Sequence, residues 1–140
     1  MRYRSTRGEL TANAPNFSDI LLAGLAGDGG LYMPETWPKI SAQTLREWRS
    51  LSYPDLAAEV MAPFTAGAID RDTLRGMCRD AYAGFDHAAV APLCEVEEGL
   101  FALELFHGPT LAFKDMAMQL LGRLFDHVLT ERNRHVTIVG

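Results

Sequence analysis

The chain has 140 residues, 48% of them apolar, so it is long enough to bury a core and fits the size of one ordinary domain. Its formal net charge of -5 argues against sequence-independent binding of nucleic acid, which needs a surplus of lysine and arginine facing the phosphates. No apolar run approaches the roughly 18 residues that span a bilayer, and the first residues lack the apolar stretch of a signal peptide. We therefore expect a cytoplasmic protein with neither a nucleic-acid nor a membrane partner.

Residues 1–90 are predicted to form a helical amino-terminal domain, because short periodic apolar stretches alternate with glycine and proline. Ser18 is the predicted N-cap of the first helix, which the glycine-rich residues 27–30 end. Further helices are predicted to start at Ser41, at Ser52 and at about Asp70. The last of these carries an apolar stripe made of Leu74, Met77, Cys78, Ala81 and Tyr82.

Residues 91–140 are predicted to form the first βαβ portion of an α/β domain. The seven residues 100–106 are almost continuously apolar and are bounded by glycine, which favours a buried strand. A long helix with apolar residues three and four apart begins at Asp115, and the β-branched residues 135–139 indicate a second strand. Strand, helix and strand in this order predict a parallel pair with a right-handed crossover.

The end of the predicted second strand is a place where ligands bind in open α/β sheets, because their sites lie outside the carboxyl ends of the strands. Two parallel strands would also leave a sheet face uncovered. We therefore expect this chain to be the front part of a larger enzyme, cut before its active site is complete.

The cysteines and histidines do not predict a metal site. Cys78 and Cys94 lie sixteen positions apart without a CxxC pair, and the four histidines lack the HxxxH or HExxH spacing that places two ligands on one helical face. A buried free thiol is the favoured interpretation of both cysteines.

Residues 104–115, with the sequence ELFHGPTLAFKD, join the first predicted strand to the long helix. A Gly-Pro turn is followed by an apolar patch that delivers one lysine, Lys114, to the helix N-terminus. The partial positive charge of that end disfavours an ammonium ion, and only a neutral amine attacks a carbonyl carbon. Lys114 is therefore a candidate for Schiff-base chemistry at a helix end that also favours phosphate. The alternative is a surface lysine paired with Asp115 or another carboxylate.

Three stretches resemble motifs of the threonine synthase family. Members of this family are pyridoxal-phosphate (PLP) enzymes of the tryptophan-synthase-like fold type. Residues 104–115 resemble the cofactor-lysine motif, residues 3–8 (YRSTRG) the amino-terminal signature, and residues 24–34 the glycine-rich turn after the first helix. The resemblance covers all of this chain but only the front part of a typical family member.

The resemblance implies that Lys114 is the catalytic residue that holds PLP and then moves protons. It also implies that Phe113 lies near the cofactor ring, although a place in the core is an equal alternative. For Asp115, a helix cap is favoured over a role in orienting the lysine. His107 and Thr110 are interpreted as residues with satisfied hydrogen bonds, the Thr110 hydroxyl bonding to backbone.

Two other motifs have less defined roles. Residues 3–8 form either a terminal strand or part of the substrate side, where Ser5, Thr6 and Arg7 would meet an anionic group. By resemblance, the glycine-rich residues 27–30 form a structural turn, and they lack the pattern of a P-loop.

By the same resemblance, the complete protein is expected to be a carbon-oxygen lyase acting on phosphates. It would convert O-phospho-L-homoserine and water to L-threonine and phosphate, the last step of threonine biosynthesis. The alternatives are another PLP enzyme such as a dehydratase, a threonine synthase-like phosphate lyase whose distinguishing residues lie downstream, and a non-catalytic protein. For these 140 residues alone we expect no turnover and no PLP on Lys114, because the loop that holds the cofactor phosphate would follow Gly140.

Overall fold

The computed structural model describes residues 1–8, 14–137 and 139 of the chain. Its helices and strands, in chain order, are β1 (Tyr3–Ser5), α1 (Phe17–Ala23), β2 (Tyr32–Pro34), α2 (Ala42–Glu47) with a 3-10 turn at Trp48–Ser50, α3 (Tyr53–Thr65), α4 (Arg71–Tyr82), β3 (Leu93–Glu97), β4 (Leu100–Leu103) and α5 (Asp115–Glu131). No helix in these ranges is long and apolar enough to cross a membrane.

The chain divides into two compact units. The first comprises Met1–Ser50 and Ala58–Leu74, and the second comprises Leu51–Ala57 and Arg75–Gly140. The division at residue 90 into a helical domain and a cofactor-binding domain stays a prediction.

In the first unit, an antiparallel hairpin of β1 and β2 is tied to the end of α3. Tyr3 is buried, and its hydroxyl donates a hydrogen bond to the carbonyl of Phe64 over 2.7 Å. The ring of Trp37 meets the same Phe64 edge-on, with 6.1 Å between ring centroids. The other buried residues of this unit include Ser18, Ala26, Ala58, Ala62, Thr65, Ile69 and Leu74.

Helix α1 begins two residues earlier than predicted. The N-cap is Asn16, whose side chain accepts the N–H of Asp19 at 3.0 Å while the Asp19 carboxylate accepts the N–H of Asn16 at 3.1 Å. The predicted N-cap, Ser18, lies inside the helix and is buried, so that prediction is wrong. The reciprocal pair satisfies two backbone N–H groups, whereas a single serine satisfies one. The helix also ends before the glycine run, at Gly24, which adopts a φ of +70°.

The other predicted helix starts are confirmed. The Ser41 hydroxyl accepts the N–H of Thr44 at 3.0 Å, and the Ser52 hydroxyl accepts the N–H of Asp55 at 3.3 Å. Asp70 accepts backbone N–H bonds at the start of α4. The predicted stripe of α4 is buried at Leu74, Cys78, Ala81 and Tyr82 and half-buried at Met77.

In the second unit, α5 is anchored to the end of α4. Apolar residues of α5 that lie four apart are buried, namely Leu120, Leu124 and Val128. The Tyr82 hydroxyl donates to the carbonyl of Met116 at 3.0 Å, and the Arg123 guanidinium donates to the carbonyl of Asp80 at 2.8 Å. These bonds hold both the first and the middle turns of α5.

The prediction of a buried strand over residues 100–106 is wrong. The strand β4 is four residues long and exposed, and it pairs antiparallel with β3 across a turn in which Gly99 has a φ of +75°. A hairpin pairs over a short loop, so its closure costs less conformational entropy than a crossover connection. Cys94 lies on β3 and is exposed, so the buried thiol is confirmed for Cys78 and wrong for Cys94.

The second predicted strand, residues 135–139, lies partly outside the described residues, which lack Ile138. The described residues His135, Val136, Thr137 and Val139 are exposed and belong to no strand. Both two-stranded sheets in the described ranges are antiparallel, so the predicted parallel pair is not formed there. β-branched residues favour extended backbone, but a strand forms only where a second strand supplies the hydrogen bonds.

Candidate functional site

Lys114 lies at the start of α5, where the sequence placed it. Its backbone is helical, with φ -62° and ψ -24°, and its carbonyl accepts the N–H groups of Ala117 and Met118 at 3.1 and 2.9 Å. The side chain is exposed and makes no capping hydrogen bond. The helix therefore holds the backbone of this residue, while its amine is accessible to a carbonyl compound.

Asp115, the next residue, has a buried side chain that is 3% exposed. Its Oδ2 accepts both the N–H and the hydroxyl of Thr110, at 2.7 and 2.8 Å, and its Oδ1 accepts the side-chain amide of Gln119 at 3.2 Å. Burial raises the pKa of Asp115, but the hydrogen bonds from Thr110, from Gln119 and from the backbone of Ala112 together outweigh it and hold the pKa below its ordinary value.

Two predictions about this pair are therefore wrong. Asp115 was predicted to cap α5, but the donors that reach it are an upstream backbone N–H, the Thr110 hydroxyl and the Gln119 side chain. The Thr110 hydroxyl was predicted to bond to backbone, and it bonds to a carboxylate instead. The physical reason is the turn of residues 108–114, which folds back so that Thr110 faces the first residue of the helix.

The first amides of α5 are already bonded. The N–H groups of Asp115 and Met116 donate to the carbonyls of Ala112 and Phe113, at 3.0 and 3.2 Å. A helix end binds phosphate through amides that face the ligand. The predicted phosphate site is therefore wrong for these two amides, because the preceding turn closes this helix end.

The apolar residues before Lys114 are exposed. The side chains of Leu111 and Phe113 are 68% and 64% exposed, so Phe113 is not part of the core that the described residues form. An accessible amine flanked by apolar surface fits attachment of an aromatic carbonyl compound such as PLP. The N–H groups of Asp115 and Met116 cannot bind the phosphate of that compound, because both are already bonded within the turn.

His107 and Glu104 form a hydrogen-bonded pair between β4 and the turn. The Nε2 of His107 lies 2.7 Å from a carboxylate oxygen of Glu104, and its ring stacks on Phe106 with 4.7 Å between centroids. The bond to His107 outweighs burial and holds the pKa of Glu104 below its ordinary value. The predicted turn histidine with satisfied hydrogen bonds is confirmed. Among the described residues, no group of three or more His, Cys, Asp or Glu is placed to hold a metal.

In the first unit, hydrogen bonds join residues 3–8 to the glycine-rich turn. One carboxylate oxygen of Asp28 accepts the Ser5 hydroxyl at 2.7 Å and the N–H of Gly30 at 2.8 Å. The Thr6 hydroxyl accepts the N–H of Leu31 at 3.0 Å. Both hydroxyls therefore hold the turn in place. Residues 3–5 form the strand β1, which agrees with the interpretation of residues 3–8 as a terminal strand.

Comparison with protein families gives a match over residues 2–82 to the model described as "Threonine synthase N terminus". The chain belongs to the threonine synthase family. It is 53% identical over 140 residues to a threonine synthase of Pseudomonas aeruginosa and covers 29% of that protein. It is 41% identical over 140 residues to a threonine synthase-like 2 protein of Xenopus laevis, with 99% of this chain and 29% of the relative covered.

Solved structures give the same result. A PLP-bound threonine synthase from Brucella melitensis matches with a TM-score of 0.90 and 52% identity, over 95% of this chain and 28% of that one. Threonine synthase from yeast matches with a TM-score of 0.87 and 39% identity, over 94% and 27% of the two chains. These matches confirm the predicted family and α/β fold class. The chain spans somewhat under a third of the length of these relatives.

Proposed function

We propose that this chain provides the cofactor-attachment segment of a PLP-dependent threonine synthase. In the complete enzyme, Lys114 is the PLP-bearing residue, and the substrates are O-phospho-L-homoserine and water, with L-threonine and phosphate as products. The observation that carries the proposal is the exposed Lys114 amine on a helix start whose backbone is fixed. We also propose a cytoplasmic location, as for an enzyme of amino-acid biosynthesis.

The residues of this chain would contribute in separate ways. PLP, when bound, supplies a ring that withdraws electrons from the substrate carbon. The Nζ of Lys114 is the group that takes and returns protons at the substrate carbons, which is general acid-base work for an amine within reach of them. The exposed ring of Phe113 would cover part of the cofactor and keep water from it.

The chain offers an internal control, because it contains only two lysines, Lys39 and Lys114, and both are exposed. We would replace the matching 140-residue region of the Pseudomonas aeruginosa enzyme with this chain and add PLP. Borohydride reduction and peptide mass mapping should place the label on Lys114 and not on Lys39. Lys114→Ala should abolish phosphate release from O-phospho-L-homoserine, whereas Lys39→Ala should leave it unchanged. Full activity of the Lys114→Ala chimera would refute the proposal.

The 140-residue chain alone is expected to show no threonine production, because it spans less than a third of the threonine synthases it matches and the loop that holds the cofactor phosphate is expected outside it. It should also carry no PLP on Lys114, since water hydrolyses an imine in an open site. Threonine production by the isolated chain would contradict this expectation.

A threonine synthase-like phosphate lyase is the second candidate, because relatives named threonine synthase-like 2 reach 41–43% identity over 99% of this chain. We would graft the chain into both the Pseudomonas aeruginosa enzyme and the Xenopus laevis protein and identify the products by NMR. The product should follow the parent protein, since the residues that distinguish the two reactions are expected outside this chain. The same product from both chimeras would show that this chain decides the reaction.

A further inference from the structure

The turn of residues 108–114 is closed by a single buried carboxylate. Asp115 receives two hydrogen bonds from Thr110, one from the backbone and one from the hydroxyl, and both reach the same oxygen. Thr110 itself is exposed, so these bonds are not a by-product of burying the threonine. The carboxylate therefore acts as a clamp between the middle of the turn and the first residue of α5.

The backbone of the turn approaches this carboxylate closely at Gly108. A Cβ atom added to Gly108 would lie 2.6 Å from the Oδ2 of Asp115, far inside van der Waals contact. Leu111 adopts a φ of +59°, a left-handed conformation that costs a non-glycine residue about 1–3 kcal/mol. An exposed leucine gains little there to offset this cost, so other interactions must hold the turn.

Lys114 lies inside the segment that the clamp closes, because Thr110 precedes it and Asp115 follows it directly. The carbonyl of Met116, two residues after the lysine, accepts the Tyr82 hydroxyl. The side chain of Gln119, one turn further along, bonds to the second oxygen of Asp115. The backbone at Lys114, from which its side chain leaves the helix, is therefore held by bonds on both sides of the lysine.

We propose that Asp115 is a positioning residue for Lys114, which fixes the turn of residues 108–114 through Thr110 and so aims the lysine amine. This inference rests on the proposed role of Lys114. It assigns no contact between Asp115 and substrate or cofactor. A carboxylate that only stabilised the fold would change the melting temperature without changing the reaction at Lys114.

The test introduces Asp115→Ala or Asp115→Asn into the chimera of this chain with the Pseudomonas aeruginosa enzyme. Asp126→Ala in the same chimera is the matched control. Asp126 lies on the exposed side of the same helix. We expect Asp115→Ala to lower kcat about 100-fold at a temperature where the protein remains folded, because small misplacements of reacting groups cost about that much. Asp115→Asn should lose less, since its amide oxygen still accepts one bond from Thr110. Asp126→Ala should change kcat less than twofold.

A double-mutant cycle separates the clamp from other effects of Asp115. Thr110→Val removes the hydroxyl bond and keeps the N–H bond, so it should lower kcat by a smaller factor than Asp115→Ala. The double variant should be no slower than Asp115→Ala alone, because both changes act through one interaction. A lower melting temperature with unchanged kcat in Asp115→Ala, or effects that multiply fully in the double variant, would overturn the proposal.

A second measurement is independent of turnover. This measurement compares amide hydrogen exchange by NMR in the 140-residue chain and in its Asp115→Ala variant. In the variant, exchange should be at least about 10-fold faster at the N–H groups of residues 111, 115 and 116, which are bonded within the turn. Exchange at Leu124 should be unchanged. Unchanged exchange in the turn would overturn the clamp. If the unaltered chimera carries no PLP on Lys114, the proposed function fails instead, and amide exchange still decides whether Asp115 orders the turn.

Discussion

A hydrogen atom is the only side chain that fits at position 108. Gly108 is buried, its φ is not left-handed, and a Cβ there would collide with the carboxylate of Asp115. The sequence pattern predicts a Gly-Pro turn, in which glycine is favoured because its backbone adopts conformations that other residues avoid. The structure gives a different reason, the close approach of a side chain seven positions further along.

We therefore predict that Gly108→Ala destabilises the protein by about 1–3 kcal/mol, the usual cost of an overpacked site. The control is Gly122→Ala in α5, where a Cβ would meet nothing within 4 Å and a helical alanine should stabilise by about 0.5–1 kcal/mol. Urea unfolding monitored by circular dichroism measures both changes. Equal stabilities of the two variants would show that the close approach at Gly108 is absent in solution.

At the scale of elements, α5 was the most predictable part of the chain. Its apolar residues repeat at three and four positions over seventeen residues, and its start at Asp115 was predicted correctly. The predicted strands of residues 91–140 were not, because an almost continuously apolar stretch such as residues 100–106 satisfies the pattern of a buried strand equally well when it contributes to an exposed hairpin. Pairing partners decide between these cases, and a partner is not visible in the strand's own residues.

Leu124→Ala should destabilise the protein by about 2–5 kcal/mol, because Leu124 is 4% exposed and its removal leaves a cavity. Met118→Ala on the same helix should change stability by less than about 0.5 kcal/mol, since Met118 is 56% exposed. Chemical unfolding of the two variants beside the unaltered chain tests this. A large loss in Met118→Ala would mean that this side of α5 is covered in solution.

At the scale of the whole molecule, several hydrogen-bonded carboxylates have a pKa below the ordinary value, among them Asp28, Asp55, Asp70, Glu104 and Asp115. For Asp28 the main cause is the bond from the Ser5 hydroxyl, followed by the bond from the N–H of Gly30. A carboxylate of this kind stabilises the folded state when it is charged. Protonation of these groups therefore removes stability.

We predict that the free energy of unfolding is constant at neutral pH and falls as the pH drops below the ordinary aspartate pKa of 3.8. The sign follows because the unfolded chain binds protons at a higher pH than the folded one. Urea titrations from pH 7 to pH 2.5 measure the curve, and Asp28→Asn should make it less steep. Stability that is unchanged or higher in acid would contradict the assignment of these carboxylates.

The sequence by itself determined the family, the helix periodicity and the position of Lys114 at a helix start, because each depends on residues close together in the chain. Three features were decided only by the tertiary structure: the clamp of Asp115 on Thr110, the tie between Ser5 and Asp28, and the exposed hairpin of β3 and β4. Each depends on where the backbone brings groups that are separated in the sequence. Hydrogen-bond partners and cross-strand pairs are chosen by that geometry, and residue type alone leaves several partners open.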